Sequence, residues 1–492
     1  MKFDEFKLLS ESYNVIPVFE KITADLLTPV SAYLKIRKPG NKSFLFESVE
    51  GIGRLARYSF IGKEPSKIIS NLSNKLTILS GENSTTINKN IFDFLKEEIG
   101  NYNFPTIEEL PDFTGGIIGY LGYENICLIE DILKFEKQNT LATPDSIFGI
   151  YETIIAFDHF KHQLILISNV KVNKNSNLKL LFNEAKDKLK VIKEELTAPI
   201  NYKSNFNTIN ESINEVDTEK FNAVIEKIKS NIYEGDVFQL VISNRFAAEF
   251  EGDLLNVYRA LRIINPSPYM YYMELEQDFI IIGTSPEDLL KVKQNKVTIL
   301  PIAGTRKRGK TKEEDIKMEM DLLSDPKEIA EHMMLVDLAR NDLGRVCEYN
   351  SVKLTEEKQV HKFSHVMHIV SRVEGELQKN KDCIDALKAC FPAGTVTGAP
   401  KIRAMQLINE YENLRRNVYA GAIGYIDFSG NLDMCIAIRT LFSKGKYLYW
   451  QAGAGIVADS KPELEIKEIY NKSAVLKSAL KYAEVIDENF SN

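Results

Sequence analysis

Apolar, β-branched runs follow one another along this chain across turns too short to hold a crossover helix, and this limits its fold more than any other feature. Parallel neighbours need a connection of about a dozen residues or more, so short turns enforce antiparallel pairing. In the first third, SFLFESV (43–49), GGIIGYLGY (115–123) and the pair YETIIAFDH and QLILISNV (151–159 and 163–170) read as strands. Phe160, Lys161 and His162 form a hairpin connection between the last two. Later strands are expected at DVFQLVISNRF (236–246), DFIIIGTS (278–285), KVTILPIAG (296–304), YAGAIGYID (419–427), MCIAIRTLF (434–442) and YLYWQAGAGIV (447–457). A Lys/Glu/Leu-rich stretch near 170–195 reads as helix. So do Phe221, Val224, Ile225, Ile228 and Ile232 at helical spacing, with Gly235 placed to end that helix in a left-handed conformation. Further helices are expected near 326–345, 382–390, 400–413 and 463–482. The fold class is α+β, with largely antiparallel sheets and helices packed outside them.

At 492 residues the chain is about three times a usual domain, which implies two or more compact units. The polar, Asn-rich stretch APINYKSNFNTINESINEV (198–216) is nearly aperiodic. It divides the chain into an N-terminal region 1–195, a linker 196–216 and a second domain 217–485. Lys and Arg number 62 against 69 Asp and Glu, a net charge of −7 without a long single-sign block. That balance argues against a nucleic-acid partner. Cys127, Cys347, Cys383, Cys390 and Cys435 are odd in number and contain no CxxC pair, which fits a reducing compartment. MKFDEFKLLSESYNV has no apolar signal core, and no segment approaches 18 apolar residues. A soluble, cytoplasmic protein without a membrane partner is expected.

Several motifs bear on chemistry. Gly304-Thr-Arg-Lys-Arg-Gly309-Lys310-Thr311 fits GxxxxGK[ST], but a phosphate cradle does not suit bulky cations in its variable positions or the acidic KEEDIKMEMDLL that follows. It reads as an exposed basic loop. His361, His365 and His368 suggest a zinc site. On one continuous strand, however, His365 and His368 face opposite ways and His361 and His365 lie roughly 13 Å apart. A single histidine there is more often a satisfied core residue.

Carboxylates carry a stronger pattern. Asp325-Pro326 is a helix start, and Glu328 and Glu331 follow on one face. The helix after Pro462 repeats the device with Glu465 and Glu468. Two such pairs suit an oxygen-seeking cation such as Mg2+; equally, Lys327–Glu331, Lys461–Glu465 and Glu468–Lys472 are ordinary i,i+4 surface pairs. FPAGTVTGAPKIRAM (391–405) opens a helix whose free N–H groups, with Lys401, suit a carboxylate. In QAGAGIV (451–457), Gly453 and Gly455 let a ligand approach the backbone. Arg439, within the expected strand CIAIRTLF, offers a bidentate fork for a second carboxylate. Together these describe a pocket for a small dicarboxylate beside a metal.

SPE (285–287), PIAGTRKRG (301–309), DPKEIAEHMMLVDLARNDLGRVC (325–347), VMHIVSRVEGEL (366–377), FPAGTVTGAPKIRAM, YAGAIGYID, CIAIRT and QAGAGIVADS follow one another in order. The chain over about 217–480 thereby resembles the chorismate-utilising enzymes. Its first third, including FES (46–48), resembles the large subunits of the anthranilate-forming branch. The resemblance implies a two-lobed α/β sandwich. It implies Glu331 and Glu468 as Mg2+ ligands, with Glu328 and Glu465 supporting through water, and Mg2+ holding the ring carboxylate of chorismate. Gly304, Thr305, Tyr419, Arg439, Gly453, Ala454 and Gly455 would line the substrate site, Arg439 facing the enolpyruvyl carboxylate. Glu287 would be the acid for the departing hydroxyl and His368 the base, with Thr395 close by.

Two positions bear on the branch. Water-adding relatives (isochorismate and salicylate synthases) usually carry Lys where this chain has Gln239, and a neutral amide cannot deprotonate water. Aminodeoxychorismate synthases usually read PIKGT, with a nucleophilic Lys where this chain has Ala303. Both favour ammonia attack at C2 followed by pyruvate loss. No cysteine sits in a G-x-C-x-G turn, so ammonia is expected from a separate glutamine amidotransferase subunit or from high ammonium. That such a subunit assembles with this chain in a heterotetramer is what the resemblance implies. The resemblance also implies feedback inhibition by tryptophan bound at Ser48 and Pro268, Tyr269 and Met270.

Overall fold

The computed structural model describes residues 1–48, 57–135, 137–200, 202, 204–362 and 366–487. Val49 of the first expected strand and His365 lie outside them. Two 12-stranded sheets form the centre, and every strand pair in them is antiparallel where paired registers are given, as short turns demand. Phe44, Tyr271, Ile281 and Phe442 of one sheet share a core with Ile118, Tyr120, Ile147 and Ile423 of the other, so the sheets pack face to face.

Helices cover the outer faces. Leu189 and Ile192 from Leu178–Thr197, Ile225 and Ile228 from Thr218–Tyr233, and Leu476 and Leu480 from Pro462–Val485 bury against the first sheet. Val336 and Leu343 from Pro326–Gly344 and Ile384 and Leu387 from Cys383–Cys390 bury against the second. Burying a leucine or isoleucine side chain contributes about 1.5–3 kcal/mol, and this repeated apolar stripe seats each helix. Thr218–Tyr233 forms as its spacing predicts: Asp217 accepts the Lys220 N–H at 3.2 Å and Gly235, with φ of +83°, ends it.

The division at 196–216 does not separate the sheets. Ser43–Glu47 pairs with Tyr269–Glu276 in one, and Gly116–Leu121 pairs with Ala422–Asp427 in the other. Nor is 196–216 simply a linker, because Phe206–Ile213 pairs with Gln239–Gly252 along a sheet edge. Strand-forming residues there were obscured by their polarity, which suits an edge.

Two expected strands are each broken in two. KVTILPIAG divides into Lys296–Ile299 and Ile302–Lys307 at Leu300-Pro301, proline being unable to donate to a ladder. MCIAIRTLF divides into Leu432–Ile436 in the second sheet and Thr440–Lys444 in the first. Arg439 is therefore not a strand residue: it sits in the crossover between sheets with φ of +50°. Among the described residues, no helix is long and apolar enough to cross a membrane.

Candidate active site

A second crossover lies beside the first. The chain leaves Phe279–Ser285 in one sheet and enters Asp288–Lys293 in the other, with Glu287 between them. The two crossovers are bonded together: Ile436 N–H donates to the Glu287 carbonyl at 3.0 Å, and Thr284 N–H to the Arg439 carbonyl at 3.2 Å. Burial pushes the Glu287 carboxyl up to about 7; Thr395, Lys472 and Arg439 pull against that, and Asp288 adds to it. The Thr395 hydroxyl is buried and makes no full hydrogen bond, so it is poised towards Glu287 without being consumed. Burial lowers the Arg439 guanidinium, which forms no ion pair among the described residues, and Glu287 opposes that lowering. A half-buried cation without a counter-ion is costly unless a ligand supplies the anion. A cavity of roughly 50 Å³ opens behind Glu287 and Thr395 against Leu335, Leu338 and Ala339.

His368 lies on Val366–Glu376, opposite Thr305 on one side and His361 on the other. His361 and His368 thus occupy two antiparallel strands, not one continuous strand. His368 Nδ1 lies 2.9 Å from the Gly304 carbonyl and 3.1 Å from Thr305 Oγ1. A carbonyl only accepts, so Nδ1 carries the proton and the Nε2 lone pair is the basic one. Burial lowers this imidazole from its ordinary value, with the Gly304 bond opposing and the Arg439 charge assisting. Gly304 has φ of +69° at a bulge, and a Cβ there would stand 3.1 Å from Glu328 Oε2. The positive φ favours glycine, and a side chain there would also have to shift the Glu328 carboxylate by a few tenths of an ångström.

The carboxylate pairs converge. Asp325 caps Pro326–Gly344 by accepting the Lys327 and Glu328 N–H groups at 3.0 and 3.3 Å, as expected. The second helix does not repeat that device: Lys461 precedes Pro462 and gives no side-chain cap. The Glu331 carboxyl is raised by desolvation and then by the charges of Glu328 and, from the other helix, Glu468; Lys327 and Lys472 oppose this. Glu465 is raised by desolvation and Glu468, a Ser460 hydrogen bond opposing. Glu328 is held by Arg306 Nη1 at 2.9 Å, while the same guanidinium pairs with Asp321 and Asp325.

Of the i,i+4 pairs, Glu468–Lys472 forms at 2.6 Å. Sequence reasoning read Lys472 only as that surface partner. Its Nζ also donates to the Gly453 carbonyl at 2.9 Å and its charge reaches Glu287, linking the carboxylate pairs to the acid. Among the described residues no three His, Cys, Asp or Glu side chains form a complete ligand set. Two carboxylates from separate helices still fit Mg2+, which usually takes one or two protein carboxylates and leaves other positions to water and substrate.

The glycine strand is shaped by its neighbours. A Cβ on Gly455 would meet Gln239 Nε2 at 2.4 Å and one on Gly453 would meet the Tyr419 hydroxyl at 2.7 Å, so both side chains lie on the strand's backbone. Ala454, fully buried in the helix-covered core, contributes only main chain here. Lys401 departs from expectation. Its ammonium is spent on Asp342 Oδ2 at 2.7 Å and the Cys390 carbonyl at 3.3 Å, in an internal ion pair rather than a ligand site. The Gly309 and Lys310 N–H groups are occupied by Asp315 and Glu314 at 2.8 and 2.7 Å, which closes the phosphate-loop reading. Ser48 directly follows the strand whose Glu47 is registered against Met270. Tyr269, beside it, donates its hydroxyl to Asp433 at 2.8 Å.

Two facing antiparallel sheets thus carry at their junction a raised carboxyl and an arginine without an ion pair among the described residues. The family described as chorismate binding enzyme matches residues 45–478, and the chain belongs to that family. Anthranilate synthase component 1 of Acetivibrio thermocellus is 42% identical over 98% of each chain, and that of Aquifex aeolicus 41% over 99% of each. The crystal structure of anthranilate synthase component I from Streptococcus pneumoniae superposes with a TM-score of 0.77 at 39% identity, covering 93% of this chain and 99% of that one. Within the family, this is an enzyme of the anthranilate synthase type.

Proposed function

We propose that the chain aminates chorismate at ring C2 with ammonia and then eliminates pyruvate, releasing anthranilate and water, as the first step of tryptophan biosynthesis. The observation that carries this reading is Glu287, a carboxyl enclosed enough to stay protonated up to about 7, bonded through its crossover to that of the unpaired Arg439. Hydroxide leaves poorly without a proton, and Glu287 is the group able to supply one. Arg439 takes the enolpyruvyl carboxylate in its fork. His368, neutral and with its Nδ1 proton tied down, accepts the C2 hydrogen through Nε2 as the ring becomes aromatic. Mg2+, held by Glu331 and Glu468, supplies Lewis-acid compensation for charge on the ring carboxylate.

Gln239 and Ala303 support ammonia as nucleophile, since neither offers a base for water or an amine of its own. Burial raises the thiols of Cys127, Cys347, Cys383, Cys390 and Cys435, which suits none of them for hydrolysing glutamine. A component 1 implies a partner component. We take that partner to be a glutamine amidotransferase in a cytoplasmic heterotetramer, with tryptophan at Ser48, Pro268, Tyr269 and Met270 as inhibitor. Purified chain with chorismate, Mg2+ and ammonium at mildly alkaline pH tests the reading. Anthranilate fluorescence and pyruvate should rise together; chorismate loss without pyruvate would assign the chain to aminodeoxychorismate or isochorismate formation instead.

A further inference from the structure

Arg416 lies outside the residues assigned to the reaction, yet its guanidinium touches three segments that carry them. It is 1% exposed, in the loop after the helix Lys401–Tyr411. Nη1 donates to the Val396 carbonyl at 2.7 Å, one residue beyond Thr395. Nη2 donates to the Val241 carbonyl at 2.9 Å, on the strand that begins at Gln239 and opposite Gly455. The guanidinium carbon lies 4.8 Å from the Tyr123 ring centroid and 5.5 Å from that of Tyr419. Glu412 takes two further N–H groups, from Nε at 2.8 Å and Nη2 at 2.7 Å, and is itself held by the Ser243 N–H and hydroxyl. The main chain continues the arrangement, with Tyr419 N–H donating to the Arg416 carbonyl at 3.0 Å.

Packing alone does not require a cation in so buried a place; an apolar side chain of similar volume fills such a site at no desolvation cost. What the guanidinium supplies is a rigid plane of donors that binds carbonyls on two different segments at once while stacking on a ring of a third. We propose that Arg416 is a positioning residue for anthranilate formation, fixing Thr395, Gln239 and Tyr419 relative to one another across the junction of the sheets. This rests on the site reading above, in which Gln239, Thr395 and Tyr419 border the reacting substrate. A displacement of about 1 Å in reacting geometry can cost a hundredfold in rate, so the effect belongs in turnover rather than in substrate capture, which Arg439 dominates.

The test is steady-state kinetics with ammonium on the intact chain, for Arg416→Lys and Arg416→Met, beside thermal melting. An ammonium reaches at most some of these carbonyls and has no plane to stack. The expected result is cooperative melting with kcat down about tenfold in the lysine variant and a hundredfold in the methionine variant, and chorismate KM within threefold of wild type. Wild-type kcat in a folded Arg416→Lys, or a lowered melting temperature as the only change, overturns the proposal. If neither variant folds, Tyr123→Leu removes one stacking face and decides: a kcat loss of threefold or more supports the positioning role, and unchanged kcat overturns it. Failure of the site reading is seen separately, as wild-type turnover in Glu287→Gln and Thr395→Val.

Discussion

Glu287 and Arg439 stand on neighbouring crossovers, each where the chain leaves one sheet for the other, and each crossover donates an N–H to the other's carbonyl region. A raised carboxyl and a guanidinium fork are thereby set at one junction by the sheet topology. Arg439 accepts a φ of +50° there, a left-handed conformation that strains a residue bearing a side chain.

The raised Glu287 carboxyl has a consequence for stability. The folded state holds its proton up to about 7, whereas an unfolded carboxyl releases it near 4.5, so stability falls as pH rises between those values. Glu287→Gln should therefore be more stable than wild type at pH 8, by up to roughly 3 kcal/mol and with a higher melting temperature, the gain gone by pH 4.5. The same variant should lose at least a hundredfold in turnover. Melting curves at the two pH values check this; no stabilisation at pH 8 would remove the enclosed acid.

Metal dependence should follow the carboxylates of both helices. Glu331→Gln or Glu468→Gln should raise the Mg2+ concentration for half-maximal activity at least tenfold, and chelation should abolish activity in the wild type. A Mg2+ titration of each variant is the measurement. An unchanged titration in Glu468→Gln would leave that residue only its Lys472 pair.

Lys401→Ala tests the corrected role of that lysine. It strands Asp342 without its partner, so stability should fall by roughly 3–5 kcal/mol, while chorismate KM stays within twofold. A large rise in KM would restore Lys401 to the ligand site.

Ser48→Ala probes the regulatory reading. The ratio of activity with and without saturating tryptophan should move towards one, because the effector loses part of its preference for the less active state. An unaltered ratio would place the inhibitor elsewhere.

What could be read from the sequence followed from local signals. The helix Thr218–Tyr233 is announced by Phe221, Ile225 and Ile228, its Asp217 cap and Gly235, all within one segment. The stretch MCIAIRTLF is not so transparent: nothing in its largely apolar run marks the residue at which it passes from one sheet to another. Lys472 reads from sequence only as the surface partner of Glu468, because an i,i+4 pair does not reveal its second bond to the Gly453 carbonyl. Arg416 followed a helix in the polar run NLRRN, where only tertiary packing reveals that one arginine is buried. Lys401 failed in the opposite direction, since its ion-pair partner Asp342 is 59 positions away in sequence.

The division of labour between Glu287 and His368 is the centre of this account, and a quenched time course resolved by mass tests it directly. With chorismate, ammonium and Mg2+, His368→Ala should accumulate an aminated compound that has lost water but keeps its enolpyruvyl group, with pyruvate release slowed a hundredfold or more. Glu287→Gln should leave chorismate intact. Release of anthranilate and pyruvate by His368→Ala at the wild-type rate, or accumulation of the aminated compound by Glu287→Gln, would contradict the assignment.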